Sequence, residues 1–270
     1  MRTWNLSALW RLPTTAGPIW LKVVPDFFGH EGAVIDWIGE PTAPRLYAFE
    51  HGRALIGDVP GSPNHDVHDR DRLRPMVDLL IHLQRRAVDR LEQLIRIGVP
   101  DRRLGHMVPE IAAVVDHHGA ALTVAERRTL EALVAALPAR LASIADCGVP
   151  DTLVHGDFHA GNVAGRPGGY VILDWGDSFI GHPLIDELAL VERLPDDVQV
   201  AARTWFVSQW KGIVPGCDPA RAVELLDPVL PLLAAAMYAR FCAAIEPSER
   251  IYHGSDLVRM LRRAAAEGST

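Results

Sequence analysis

Leu153-Val-His-Gly-Asp-Phe-His-Ala-Gly-Asn162, followed by Tyr170-Val-Ile-Leu-Asp-Trp-Gly-Asp177, decides the reading of this chain. Thr152 to His155 and Tyr170 to Leu173 are short β-rich runs inside a region whose other periodicities are helical. If Val163 and Ala164 pair with Val171 to Leu173 across the turn Gly165-Arg-Pro-Gly-Gly169, the hairpin returns the chain to the end from which it started. Asn162 and Asp174 then face one space, and Asp157 lies on the loop just before it. Three oxygen-bearing side chains so placed suit Mg²⁺, a hard ion that completes its octahedron with waters and phosphate oxygens. The pattern is the one metal-assisted phosphoryl transfer needs, with a phosphorylated nucleotide as the fourth party.

Upstream, Trp4, Leu6, Ala8, Trp10 and Leu12 alternate with polar residues at a period of two, which predicts one strand. Pro13-Thr-Thr-Ala-Gly-Pro18 supplies a turn, and Ile19-Trp-Leu-Lys-Val-Val24 is a second strand with Lys22 inside it. Phe27, Glu31, Val34, Ile35 and Ile38 recur at helical spacing up to Gly39 and Pro41. Leu46 to Phe49 and Ala54 to Ile56 are weaker strands, and Gly57-Asp-Val-Pro-Gly-Ser-Pro63 reads as a linker. A small sheet-bearing lobe over residues 1–57 is therefore expected, with a mainly helical lobe over 58–270.

In that second lobe, Leu73, Met76, Val77, Leu80, Leu83, Leu91, Leu94 and Ile95 mark one face of a long helix stopped by Gly98 and Pro100. Thr123-Val-Ala-Glu126 is a capping box opening another helix, expected to break near Pro138 and end around Gly148. Pro231 to Phe241 belongs to a later helical block, buried on most sides.

The 270 residues and 49% apolar content suffice for a packed core. No uninterrupted apolar run is of membrane-spanning length, and Met1-Arg-Thr-Trp lacks a secretory signal, so a cytoplasmic protein without a membrane partner is expected. Cys147, Cys217 and Cys242 have neither disulfide-framework nor zinc spacing and read as small buried side chains. A net charge of −7 argues against nucleic acid as a partner.

The motifs His155-Gly-Asp-Phe-His-Ala-Gly-Asn162 and Leu173-Asp-Trp-Gly-Asp-Ser-Phe-Ile-Gly-His-Pro-Leu-Ile-Asp186 resemble those of the aminoglycoside phosphotransferase family, relatives of choline kinases and, more distantly, of protein kinases. The resemblance implies an α+β, kinase-like, two-lobed fold and an ATP-dependent kinase of a hydroxylated small molecule. It implies that Asp157 accepts or orients the substrate hydroxyl and that Asn162 and Asp174 hold Mg²⁺. It implies that Lys22 holds the nucleotide phosphates and that Glu31 pairs with Lys22. Lys22 and Lys211 are the only lysines, which makes a lysine kept mid-strand among apolar neighbours less casual.

The remaining polar residues receive simpler readings. His155 is expected to brace the catalytic loop and Asp186 to be a buried hydrogen-bonding anchor, with Asp177 in a turn or against substrate. His65, His68, His117 and His118 read as solvated. Glu187, Glu192, Asp196, Asp197, Glu246 and Glu249 could offer an acidic surface to a cationic acceptor, or simply be exposed helix faces.

The chain departs from kinase-like small lobes in one respect. These carry a glycine-rich loop between two strands that both precede the lysine strand. Here only one strand is expected before Lys22, so the small lobe reads as truncated, without its first strand and loop. That departure supports an alternative function, a non-catalytic kinase-like remnant that binds a ligand or partner. A third reading, ranked last, is a metal-dependent hydrolase using His155, His159, His182 and Asp186.

Overall fold

The structure, a computed structural model, describes residues 2–4, 7–15, 17–61, 64, 69–247 and 250–268. Its elements, in chain order, are β1 (Arg2–Trp4), β2 (Ser7–Leu12), β3 (Ile19–Val23), α1 (Glu31–Ile38), β4 (Leu46–Glu50), β5 (Arg53–Gly57), α2 (Arg70–Ala87) and α3 (Leu91–Arg96). They continue with α4 (Leu104–His118), α5 (Val124–Asp146), β6 (Thr152–Val154), β7 (Val163–Ala164), β8 (Val171–Ile172), β9 (Phe179–Gly181), α6 (Leu184–Val191), α7 (Asp196–Ile213), α8 (Pro219–Leu226), α9 (Leu230–Ala244) and α10 (Arg250–Glu267). The chain divides into two compact units, one of residues 1–101 with 150–215 and one of 102–149 with 216–270.

The first unit holds an antiparallel sheet in the order β1-β2-β3-β5-β4. The expected single strand from Trp4 to Leu12 is in fact a hairpin, in which Arg2 pairs with Leu9 and Trp4 with Ser7. A strand does precede the one that pairs with the lysine strand, so the expectation that it is missing is corrected. The period-two alternation continues through Asn5 and Leu6, and the lone turn former Asn5 does not stand out within it. Residues 5 and 6 lie outside the described residues, and neither is a glycine.

β3 carries Lys22 at its most buried position, 7% exposed, opposite Leu9 on β2 and Ala54 on β5. The expected helix after it starts as a 3₁₀ turn, Asp26–Phe28, and becomes α1 at Glu31. Val34, Ile35 and Ile38 bury one stripe of α1. Gly32 allows the helix to approach the sheet, since a Cβ there would lie 2.7 Å from that of Phe49 on β4.

α2 packs Leu73, Met76, Val77, Leu80, Ile81 and Leu83 at 1% exposure or less. Each contributes roughly 1.5–3 kcal/mol relative to an exposed side chain, most of it offset by chain entropy. The long helix expected up to Gly98 tightens into a 3₁₀ turn at Val88–Arg90 before α3. No glycine or proline marks that turn in the sequence. β6 pairs with β9, and β7 pairs with β8 as expected, in the register Val163 with Ile172 and Ala164 with Val171.

In the second unit, α5 opens on the expected capping box: Thr123 Oγ1 accepts from Glu126 N at 3.2 Å and Glu126 Oε2 accepts from Thr123 N at 2.7 Å. Such a cap contributes about 1 kcal/mol. α5 runs through Pro138 rather than breaking there, held by Leu130, Leu137 and Ile144, which are all buried. The helical stretch Pro219–Ala244 is long and apolar enough to cross a membrane by length and composition, and half of its apolar eighteen-residue window is buried inside the protein. Arg221, Glu224, Asp227 and Arg240 interrupt it, so it is not an uninterrupted apolar run. Cys147 and Cys217 are buried and Cys242 is partly so.

Candidate active site

The loop between β6 and β7 is held from beneath by Asp186. Its Oδ2 accepts from His155 N and its Oδ1 from Gly156 N, each at 2.9 Å, and Gln84 Nε2 of α2 donates to Oδ2 at 3.0 Å. Asp186 is fully buried, and burial pushes its carboxyl up to about 7 against these three donors. Gly156 is at φ +85°, and a Cβ there would lie 2.3 Å from Asp177 O, so the loop's path excludes any side chain.

His155 Nε2 donates to Leu173 O at 2.9 Å and its Nδ1 accepts from Asp157 N at 3.3 Å. These bonds define one neutral tautomer, and burial lowers the imidazole pKa accordingly. His155 is thus a brace between the loop and the hairpin. The hydrolase reading loses its donors, since among the described residues no group of three His, Cys, Asp or Glu side chains is placed to hold a metal ion. His65 and His68 lie outside the described residues.

Asp157 follows at the loop's exposed edge. Arg193 Nη2 donates to its Oδ1 at 2.6 Å, and His159 Nε2 lies 3.6 Å from Oδ2. Burial alone would raise this carboxyl, but His159 and Arg193 outweigh it and hold the pKa at about 2. Asn162 Nδ2 donates to Asp157 O at 2.9 Å and to its Oδ2 at 3.3 Å. The amide nitrogen is thereby committed, which leaves the carbonyl oxygen as the atom Asn162 can offer a cation. Leu173 N donates to Asn162 O at 2.8 Å, which places Asp174 beside Asn162.

Asp174 has φ +63° and ψ +62°, the one non-glycine residue in the left-handed region among the described residues. Such backbone costs about 1 kcal/mol or more outside glycine and concentrates at functional positions. Its side chain is 56% exposed, and Lys22 Nζ reaches its Oδ1 at 2.5 Å. The same ammonium donates to Glu31 Oε1 at 2.6 Å, and Glu31 Oε1 also accepts from Trp175 N at 3.1 Å. Burial by itself would favour neutral lysine, but the two carboxylates outweigh it and raise the Lys22 pKa.

The five residues singled out in the sequence therefore gather in the first unit as two linked groups, Lys22–Glu31–Asp174 and Asp157–Asn162. An oxygen pair from Asn162 and Asp174, with a lysine beside it, is a donor set that fits Mg²⁺ and a phosphate chain. Sequence reasoning missed Arg193, in the turn between α6 and α7, and Gln84, on a face of α2, neither of which has a motif around it. Glu187, grouped with possible surface acids, is instead fully buried, with Arg203 Nε 3.6 Å from its Oε1. Glu249 lies outside the described residues.

The sequence profile of the Phosphotransferase enzyme family matches residues 21–223. No curated protein matches this chain in sequence. Among solved structures, the chain is similar to a macrolide 2'-phosphotransferase from Brachybacterium faecium, with 18% identity, 98% of this chain and 89% of that one covered, and a TM-score of 0.63. It is also similar to an aminoglycoside phosphotransferase from Streptomyces rimosus in complex with ADP and streptomycin, with 20% identity, 83% and 92% coverage and a TM-score of 0.53. An ethanolamine kinase from Plasmodium vivax shares 10% identity over 98% of this chain and 82% of that one, with a TM-score of 0.59. These likenesses establish the kinase-like α+β fold.

Proposed function

Because the chain belongs to the phosphotransferase enzyme family, we propose that it is an ATP-dependent kinase that transfers the γ-phosphoryl group to a hydroxyl of a small molecule in the cytoplasm. The observation that carries this reading is the convergence of Lys22, Glu31 and Asp174 with Asn162 and Asp157. Residues 1–57 form the nucleotide lobe in this reading, and 58–270 supply the loop and the metal ligands. The adenine lies near the Ile56 to Val59 connection, which Trp20 Nε1 steadies by donating to Asp58 Oδ1 at 2.7 Å.

Lys22, anchored by Glu31, holds the nucleotide phosphates. Asn162 and Asp174 hold Mg²⁺, which neutralises charge on the phosphate oxygens. Asp157, ionised throughout the neutral range, accepts a hydrogen bond from the acceptor hydroxyl and aims it in line. A carboxylate of such low basicity works by positioning more than by proton abstraction. Arg193 and His159 fix the carboxylate's orientation.

The three similar structures are a macrolide kinase, an aminoglycoside enzyme bound to ADP and streptomycin, and an ethanolamine kinase. Their acceptors share a hydroxyl and little else, which supports a hydroxylated small molecule and no narrower class. An ATP-consumption screen against macrolides, aminoglycosides, amino alcohols and sugars tests the proposal. Turnover with one class supports it; none with any class, together with no Mg·ATP binding by calorimetry, sinks it.

A further inference from the structure

The last turn of α1 ends in carbonyls without intrahelical partners, as every helix does. Here one side chain takes two of them. Arg86, near the end of α2, donates from Nη1 to Ile38 O at 2.9 Å and from Nη2 to Trp37 O. Its guanidinium also lies 4.3 Å from the centroid of the Trp37 ring, and Trp37 Nε1 in turn donates to Gln93 Oε1 of α3 at 3.2 Å. A planar fork that bonds two adjacent carbonyls and stacks on an aromatic face is a geometry lysine cannot copy. A cation at this end also complements the helix dipole.

The other end of α1 carries the site. Glu31 is its first residue and holds Lys22, while His30 Nε2 bonds Ser178 O at 2.9 Å. α1 is thus a short strut fixed at both ends. The turn of α2 that bears Arg86 also bears the buried Gln84, which donates to Asp186 beneath the catalytic loop. Gln84 therefore serves the Asp157 half of the site, and Arg86 the Lys22 half.

We infer that Arg86 is a positioning residue for the nucleotide half of the site: by clamping the final turn of α1 it keeps Glu31 on Lys22. The clamp stands on contacts within the free protein, and its consequence for the nucleotide rests on the proposed role of Lys22. Without the guanidinium, the final turn of α1 keeps only the packing of Ile35 and Ile38 and the Trp37–Gln93 bond, its end carbonyls lose their donor, and Glu31 shifts relative to β3.

The chain's two lysines provide a test that needs no activity, with buried Lys22 as reporter and exposed Lys211 as internal reference. Limited acetylation of the ligand-free protein, read by peptide mass spectrometry, should show Lys22 labelling relative to Lys211 rising at least threefold in Arg86→Met. Arg86→Lys should give an intermediate ratio, and Trp37→Phe a smaller rise in the same direction. These two milder variants decide the matter if Arg86→Met does not fold. In a second arm, calorimetry with Mg·ATP should show the Kd raised at least fivefold in Arg86→Met, with no further loss when Arg86→Met is added to Glu31→Gln. An unchanged labelling ratio in all three variants overturns the inference, as does a raised ratio with unaltered Mg·ATP affinity. If the wild type itself binds no Mg·ATP, the proposed function falls, and the labelling ratio still decides whether Arg86 holds Glu31 on Lys22.

Discussion

Lys22 Nζ lies 2.6 Å from Glu31 Oε1 and 2.5 Å from Asp174 Oδ1, so that a strand, the helix just after it and a hairpin far downstream meet at one ammonium. Glu31 is almost completely buried, at 3% exposure, and Lys22 is its charge partner. Replacing Lys22 by Met leaves that carboxylate buried without its counter-charge. Such losses cost roughly 3–5 kcal/mol. Urea denaturation at neutral pH should show a fall of that order, with Mg·ATP binding abolished. A Lys22→Met protein as stable as the wild type would mean that the junction is not formed in solution.

Asp174 allows structure and chemistry to be separated. Asparagine tolerates the left-handed backbone at this position, whereas it lacks the negative charge a cation needs. Asp174→Asn should therefore melt close to the wild type while losing the Mg²⁺-dependent part of its thermal shift with ATP. Asp174→Ala should be less stable than Asp174→Asn, by about 1 kcal/mol.

The Arg193 to Asp157 bond sets a pH dependence. The Asp157 pKa is lowered to about 2, so its stabilising contribution is present above the ordinary carboxylate range and disappears as pH falls towards 2. Arg193→Met removes one of the two groups that hold it down, and the pKa rises. The acidic limb of kcat/KM should move to higher pH in this variant, while Asp157 remains ionised at pH 7. An unmoved limb would show that Arg193 does not set the charge state of Asp157.

Asp186 behaves in the opposite sense. Burial raises it from an ordinary value near 3.8 to about 7, so the neutral acid is the form the fold favours. Its contribution is complete below the unfolded pKa and is lost as the pH climbs through 7. The stability advantage of wild type over Asp186→Asn should accordingly shrink between pH 4 and pH 7 in a series of denaturant titrations. A gap that widens over that range would show that Asp186 is ionised in the fold.

Much of this was legible in the residues. The hairpin pairing between Asn162 and Asp174 followed from turn chemistry, the capping box at Thr123 from local hydrogen bonding, and the mid-strand position of Lys22 from its apolar neighbours on β3. What escaped notice was of two kinds. Between β1 and β2 the turn former Asn5 stands alone within an alternation that continues on both sides, so the break between the strands did not stand out. Arg193, Gln84 and Arg86 act through contacts between elements distant in sequence, and in their own turn or helix they look like ordinary polar positions. Pro138 misled for the converse reason: its local penalty is real, but capping and burial along α5 outweigh it.

In the proposed function, this site moves a phosphoryl group with Asp157 aiming the acceptor. The most direct test follows label from γ-³²P ATP into hydroxylated acceptors in the presence of Mg²⁺, comparing wild type with Asp157→Ala at matched folded concentration. The account predicts Mg²⁺-dependent labelling by the wild type and a loss of at least a hundredfold in the variant, with its melting temperature little changed. Equal labelling by the two proteins, or wild-type labelling that persists in excess EDTA, would contradict it.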